Sequence, residues 1–201
     1  AMQKLLQPNA GWEVKKLGEI AEIMTGNTPP TNDRTNYGED YFFVSPADLG
    51  KGKWILDTEK KLSSKGYNIS RKFPRNSILF TCIGSTIGKS GIAERDLTSN
   101  QQINAILPND NYSSDYLYYA LIILSNTIKS LAGEQAVPLI NKTQFCETAI
   151  SLPSIEKQIR IATILSDMDA EIEALETKLE KYRNIKLGMM QNLLTGKIRL
   201  V

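Results

Sequence analysis

From Ser154 to about Thr195 the apolar residues recur with one rhythm. Ile161, Leu165, Met168, Ile172, Leu175, Leu179 and Tyr182 are spaced 4, 3, 4, 3, 4, 3, and Met189 continues the series after Ile185, with Leu193 beyond it. Between them stand mostly Glu, Lys, Asp and Arg, the pattern of a heptad seam on a long helix. Pro153 suits a first turn, Glu156 suits the positive helix end, and Gly196 suits the stop. A helix of about 40 residues would span ~60 Å, more than a compact domain requires. It is expected to project and to pair with another helix, so the eight positions Ile161, Leu165, Met168, Ile172, Leu175, Leu179, Tyr182 and Met189 are the expected dimerisation seam. The outer face from Asp167 to Glu180 carries six acidic residues against Lys178, which sets this helix apart from any DNA-contacting element. The same stripe would also fit one helix of a globular bundle, but the chain has no second helix of comparable length to pack against it.

Residues 11–152 have a different texture. Val14, Leu17, Ala21 and Met24 have helical spacing, whereas Tyr41–Val44, Ser77–Thr81 and Ile103–Leu107 are short apolar runs bounded by Gly, Pro, Asn and Ser, as strands are. Ser114–Leu131 predicts a helix with Leu117, Ala120, Leu121 and Leu124 along one side. The fold class is therefore α+β: a mixed globular domain with a curved sheet, followed by a long C-terminal coiled-coil helix. Three parts are expected: 1–10 as the tail of a preceding helix or a linker, 11–152 as the globular domain, and 153–201 as the long helix. Met2-Gln3-Lys4-Leu5-Leu6 matches Met190-Gln191-Asn192-Leu193-Leu194 in four of five residues, as one period of a duplicated protein would.

Composition narrows the chemistry. The 201 residues (22.4 kDa) contain no histidine, which excludes a Ser-His-Asp triad, a Cys-His pair and any histidine-bearing zinc site. No acidic or lysine pair has a spacing that marks it as catalytic, so neither catalytic nor metal-binding residues are expected. Cys82 and Cys146 are too few for a disulfide framework. No apolar run approaches a bilayer span and the first residues do not resemble a signal peptide, so the chain reads as cytoplasmic, with no membrane partner. Net charge is only +2, but Lys51 to Arg75 carries eight basic residues against Asp57 and Glu59, a local +6. Interleaved with Trp54 and Tyr67, this stretch suits a surface that meets phosphate; a solvated strand edge guarded by lysines is the other reading.

Two further segments carry candidate contacts. Gly26 to Gly38 is a loop dense in hydrogen-bonding side chains (Thr28, Thr31, Asn32, Arg34, Asn36), suited to base edges or phosphates, and equally to an ordinary surface loop. Gly84-Ser85-Thr86-Ile87-Gly88-Lys89-Ser90 fails as a nucleotide-binding loop, because only three residues separate its glycines where four are needed. As a tight turn it would present Ser85, Thr86 and Lys89 beside Asn100, Gln101 and Gln102. Asn and Gln can pair with adenine, and Lys with guanine or phosphate; a capped turn with satisfied amides is the alternative.

Taken together, these segments resemble the specificity subunit of type I restriction-modification systems. The resemblance is carried by Gly11-Trp12, Leu17-Gly18-Glu19-Ile20-Ala21-Glu22-Ile23, Thr25-Gly26-Asn27-Thr28-Pro29, Ser45-Pro46-Ala47-Asp48-Leu49, Ile83-Gly84-Ser85-Thr86-Ile87-Gly88-Lys89 and Asn100-Gln101-Gln102. It continues through Leu152-Pro153-Ser154-Ile155-Glu156-Lys157-Gln158-Ile159-Arg160-Ile161-Ala162, its most specific part, and Leu194-Thr195-Gly196-Lys197-Ile198-Arg199-Leu200. It implies one target-recognition domain plus one conserved helix, half of a subunit that carries two of each, with the two helices forming an antiparallel coil that spaces the domains along DNA. The family's usual arginine before the Gly84 turn is replaced by Ile83.

The resemblance implies a non-catalytic DNA-recognition subunit that reads half of an interrupted target in double-stranded DNA and docks methyltransferase (modification) subunits and a restriction subunit. It implies no cofactor in this chain, S-adenosylmethionine, ATP and Mg belonging to the partner subunits. The helix would pair in a homodimer or with the second half of the specificity subunit; identical chains would demand an inverted repeat, its half-sites more than one DNA turn apart. The DNA-facing expectation comprises Thr28, Thr31, Asn32, Arg34, Asn36, Lys51, Lys53, Lys60, Lys61, Lys65, Ser85, Thr86, Lys89, Asn100, Gln101 and Gln102. Lys60, Lys61 and Lys65 would set affinity and loop amides and hydroxyls sequence choice. The competing reading is a coiled-coil scaffold or assembly protein whose globular domain binds protein.

Overall fold

The computed structural model describes residues 2–9, 11–133 and 137–195. In chain order its elements are α1 (Met2–Leu5), β1 (Glu13–Lys16), α2 (Leu17–Ile20), β2 (Ile23–Thr25), β3 (Tyr37–Gly38), β4 (Tyr41–Val44), β5 (Trp54–Ile55), β6 (Lys60–Leu62), α3 (Ser64–Ile69), β7 (Lys72–Phe73), β8 (Ile78–Thr81), β9 (Ser90–Ala93), β10 (Leu97–Ser99), β11 (Ile103–Ile106), α4 (Ser114–Ser130), α5 (Lys142–Cys146), β12 (Ala149–Leu152) and α6 (Ile155–Leu194). A 3-10 turn at Arg34–Asn36 precedes β3. The chain divides into two compact units, Ala1–Ala162 and Thr163–Val201, so the opening turns of α6 belong to the globular unit.

Two five-stranded sheets form the globular unit, in the orders β2-β11-β8-β9-β5 and β3-β6-β4-β10-β7, and β1 with β12 makes a separate antiparallel ribbon. Each large sheet is antiparallel except for one pair, β5 with β9 and β4 with β10. Alternation along the strands makes the core. Phe42 and Val44 of β4, Phe73 of β7 and Leu97 of β10 meet Leu79 of β8, Ala93 of β9 and Ile103 and Ala105 of β11 in one buried cluster. These residues lie two apart where they share a strand, as one face of a pleat requires. Strands β8, β9 and β11 are buried at every position, the pattern of a sheet covered on both sides. The second cover comes from the helices: α4 packs on β9, and Phe145 of α5 stacks on Phe80 at 5.0 Å between ring centroids. Full burial of a side chain of this size stabilises by about 1.5–3 kcal/mol.

Strands at Tyr41–Val44, Ile78–Thr81 and Ile103–Ile106 and helices α4 and α6 stand where the sequence pattern puts them. Ser113 caps α4 by accepting from the Tyr116 N–H. The helical spacing of Val14, Leu17, Ala21 and Met24 was misleading. Val14 lies in β1 opposite Ser151 and is 67% exposed, and the helix is only the single turn α2. The Glu19 carboxylate accepts from Lys16 N–H at 2.9 Å at its start, and Ala21 is already extended at its end. Ribbon pairing with β12 overrides the local period.

Gln158 ties the start of α6 into this unit. Its buried amide accepts from Ser113 N–H at 3.0 Å and donates to Pro153 O at 2.9 Å. Among the described residues no helix is long and apolar enough to cross a membrane.

Candidate nucleic-acid interface

The loop after β2 is fastened by the residue with no side chain. Gly26 N–H donates to Ile103 O and Asn27 N–H to Ser99 O, both at 3.0 Å. A Cβ on Gly26 would lie 2.2 Å from Ser99 Oγ, 2.3 Å from Asn100 O and 2.5 Å from Ser99 O, so only glycine admits this approach. The close approach brings Thr28 to Gln101, and Thr28 Oγ1 donates to Gln101 Oε1 at 2.6 Å. With its oxygen engaged, exposed Gln101 presents its amide N–H groups, which match the purine N7 and the O6 and O4 acceptors of base edges.

The same loop is tied to the basic segment. The Arg71 N–H donates to Asn27 Oδ1 at 2.7 Å and its guanidinium to Thr25 O at 2.6 Å. The Lys65 ammonium donates to Asp33 Oδ2 at 2.8 Å and Thr35 Oγ1 at 2.9 Å. The Lys65 hydrogen bond, with two from Thr35, lowers the Asp33 carboxyl to about 2. Its charge is therefore matched inside the loop. Gly66 of α3 rests against Asn36, whose carbonyl would lie 2.0 Å from a Cβ there. Beside this junction Tyr41 and Tyr67 stack at 4.1 Å, with the Lys72 ammonium 4.9 Å from the Tyr67 ring centroid. Thr31, Asn32, Arg34, Lys65, Arg71 and Gln101 are all exposed.

Not every expected contact residue faces solvent. Asn36 is buried and its amide donates to Pro30 O at 3.1 Å, so it holds the loop's shape and cannot read a base. Lys53 is also withdrawn: its side chain is only 13% exposed, its ammonium pairs with Asp115 at 2.5 Å, and it lies 5.2 Å from the Tyr119 ring centroid. That pair fastens the segment before β5 to the first turn of α4. Lys61 pairs with Asp57 at 3.0 Å and lies 5.7 Å from the Phe42 ring centroid, while Lys51 pairs loosely with Glu59 at 3.7 Å. Lys60 is exposed on β6.

The Gly84–Lys89 segment is a tight turn, with Gly84 and Gly88 at φ +87° and +99° and Lys89 N–H donating to Thr86 O. Ser85 and Lys89 are exposed and Thr86 half-buried. Its root meets the Asn100 segment where Cys82 N–H donates to Gln102 O at 2.8 Å, but the Lys89 stem runs along Gly50. Asn100 donates to Gln102 Oε1 at 3.0 Å, so these two amides brace each other while Gln101 points outward. Ile83 bridges to Leu139 in the backbone. Burial pushes the Cys82 thiol up to about 12, leaving it a protonated core group. Gly26, Asn27 and Arg71 were absent from the expected DNA-facing set: Gly26 and Asn27 stood only in the Thr25-to-Pro29 stretch of the resemblance, and Arg71 only in the basic stretch.

On α6, Ile161 and Leu165 are already buried in the single chain, so they are withdrawn from the expected seam. Met168, Ile172, Leu175, Leu179, Tyr182 and Met189 are 37–58% exposed. Gly196 to Leu200, the end of the last sequence motif, lies outside the described residues.

The chain belongs to the type I restriction modification DNA specificity domain family, which matches residues 9–182. It is 33% identical over 187 residues to the type I restriction enzyme MjaIX specificity subunit of Methanocaldococcus jannaschii, covering 90% of this chain and 43% of that one. It is 35% identical over 151 residues to the HindI specificity subunit of Haemophilus influenzae, covering 73% of this chain and 33% of that one. The chain thus spans less than half the length of these relatives. The fold is shared with the HsdS subunit of Thermoanaerobacter tengcongensis (TM-score 0.67, 22% identity, 88% of this chain and 44% of that one). It is shared too with the type I S subunit of M. genitalium (TM-score 0.64, 16% identity, 93% and 46%).

Proposed function

We propose that this chain is a sequence-specific DNA-binding element that reads one half of an interrupted duplex target. Residues 11–152 act as the target-recognition domain and the helix Ile155–Leu194 as the pairing and spacing element. The observation that carries this reading is the fastening of one loop to three strand ends. Gly26, Thr28 and Arg71 bring the loop, Gln101 and the basic segment to a common rim, where hydrogen-bonding side chains stand beside cations. Phosphate contacts by Lys60, Lys65 and Arg71 supply affinity, and Gln101 with the loop hydroxyls and amides supplies base choice. The specificity-subunit names of the relatives support the same reading.

The chain works without chemistry of its own. It docks methyltransferase and restriction subunits, on which S-adenosylmethionine, ATP and Mg reside, in the cytoplasm. Its exposed helix seam pairs with a second copy.

The test is binding to random-sequence duplex DNA as salt is varied. A phosphate-binding rim gives log affinity falling linearly with log salt, with a slope of roughly −0.9 per phosphate neutralised. Binding that is weak and insensitive to salt would instead favour a protein-binding scaffold.

A further inference from the structure

Asn100, Gln101 and Gln102 bring three amides to the rim, and the protein itself engages two of them. Asn100 Nδ2 donates to Gln102 Oε1 at 3.0 Å, and Asn100 Oδ1 accepts from the Gln102 N–H at 3.1 Å. Both side chains are half-buried, whereas Gln101 is exposed. One end of the Gln101 amide is nevertheless fixed, because Thr28 Oγ1 donates to its Oε1 at 2.6 Å. That separation belongs to an O–H···O bond; an amide nitrogen in the same place would stand nearer 2.9 Å. Thr28 is half-buried, and the Gly26-to-Ile103 and Asn27-to-Ser99 backbone bonds hold its loop against the strand end that carries Gln101. The amide oxygen is thereby kept toward the loop. The nitrogen, with its two hydrogens, is the end left without a partner among the described residues.

We infer that the Thr28–Gln101 pair reads guanine, and selects against adenine, at one position of the major groove. This rests on the proposed DNA reading and adds which base the site takes. Glutamine by itself favours adenine, its oxygen accepting from the N6 amine while its nitrogen donates to N7. Thr28 removes that option by engaging the oxygen, so the head offered to DNA is donor-only. Guanine meets it with two acceptors, N7 and O6, one for each amide hydrogen. Adenine offers N7 alone and sets its N6 amine, a donor, against an N–H. Thymine offers O4 with the C5-methyl group beside it, and cytosine offers a donor and no acceptor. Guanine is therefore preferred, adenine and thymine follow, and cytosine is rejected most strongly, since a buried donor left facing a donor costs more than one left in water.

The two residues have different parts. Gln101 touches the base. Thr28 is a positioning residue that acts through Gln101, its only hydroxyl hydrogen being spent on Oε1. The pair thus behaves as a selector whose setting depends on one hydroxyl: with it the amide presents donors, and without it the amide is free to present a donor and an acceptor together. Base choice at this position is separable from affinity, because the cations of the basic segment contact phosphate whatever the sequence.

The experiment compares the duplexes that the whole chain and its variants select from a random pool, then measures affinity for the wild-type sequence by fluorescence anisotropy. Gln101→Ala is expected to lose selectivity at one position only, a guanine, and to bind the wild-type sequence roughly 5- to 30-fold more weakly. Its affinity for random duplex should change by less than about twofold, since no phosphate contact is removed. Thr28→Val keeps the branched shape, loses the hydroxyl, and is expected to shift that same position from guanine toward adenine by roughly fivefold or more. Thr28→Ser keeps the hydroxyl and should keep guanine. A merely structural role for Thr28 would weaken all positions together. Base analogues test the contact on the wild-type chain, with no variant required to fold. Replacing the guanine by 7-deazaguanine removes N7 and is expected to weaken binding roughly 3- to 10-fold, whereas inosine keeps O6 and N7, lacks only the minor-groove amine, and should bind within about twofold. A Gln101→Ala chain that selects the wild-type sequence unchanged, a lost position that is not guanine, or a loss with inosine in place of 7-deazaguanine overturns the inference and leaves DNA reading standing. A wild-type pool that stays random overturns the proposed DNA reading itself.

Discussion

Replacing Gly26 by alanine tests whether the recognition loop is held as the geometry requires. The new methyl would lie 2.2 Å from Ser99 Oγ, 2.3 Å from Asn100 O and 2.5 Å from Ser99 O. A rotamer change at Ser99 relieves the first contact, but the other two are carbonyls. The strand end that carries them is held by Asn100 N–H donating to Val44 O at 3.0 Å. The loop must therefore lift, weakening the Gly26-to-Ile103 and Asn27-to-Ser99 hydrogen bonds. Overpacking of about 1–3 kcal/mol and about 1 kcal/mol for each weakened bond give roughly 2–4 kcal/mol of destabilisation. For a domain of this size that lowers Tm by about 5–15 °C. Thermal unfolding followed by circular dichroism, with Gly52→Ala as control, is the assay: nothing lies within 4 Å of a Cβ at Gly52. The variant should also lose DNA affinity at temperatures where it stays folded, because Thr28 leaves Gln101. A Gly26→Ala protein that melts within about 1 °C of the control, or one rescued fully by Ser99→Ala, would refute the argument.

Other perturbations separate holding from contacting. Gln158→Ala removes a buried amide and leaves the half-buried Ser113 N–H without its acceptor, and should cost about 1–2 kcal/mol by chemical denaturation, with DNA contacts untouched. Lys60→Ala should weaken binding several-fold near physiological salt, about equally for every DNA sequence, and flatten the salt slope by up to about 1. Lys53→Ala should lower stability and leave that slope unchanged, since Lys53 faces Asp115. Thiol titration of the folded chain should find Cys82 unreactive at pH 8 and released by denaturant, because its thiol is buried and raised to about 12. Asp33, lowered from 3.8 to about 2 chiefly by Lys65, should show the opposite pH sense. Its loop contacts contribute stability above pH ~4 that is lost as pH falls through ~2, and NMR titration of its carboxyl carbon reads the shift directly.

Where one local pattern dictated one structure, the sequence was readable. The 3.5-residue rhythm of α6 predicts a long helix whichever way it packs, and β4, β8 and β11 read as short, mostly apolar runs because nearly all of their residues are buried. Strands such as β5, β6 and β7 were not legible, because Trp54-Ile55, Lys60-Lys61-Leu62 and Lys72-Phe73 are too short to show a period and exist through partners distant in sequence. Val14 to Met24 shows the converse, a helical period broken by ribbon pairing. The site was legible as a set of segments, and its membership was not. Asn36 and Lys53 have the right chemistry for DNA, yet one is buried against Pro30 and the other is held by Asp115. Only the tertiary contact at Gly26 reveals that Thr28, Gln101 and Arg71 share a rim.

The most direct test of the central claim is selection of bound duplexes from a random pool by the purified chain. The account predicts enrichment of an inverted repeat, two short defined half-sites separated by an unspecified spacer of fixed length. A pool that stays random after repeated rounds, or that converges on an uninterrupted site, would contradict it.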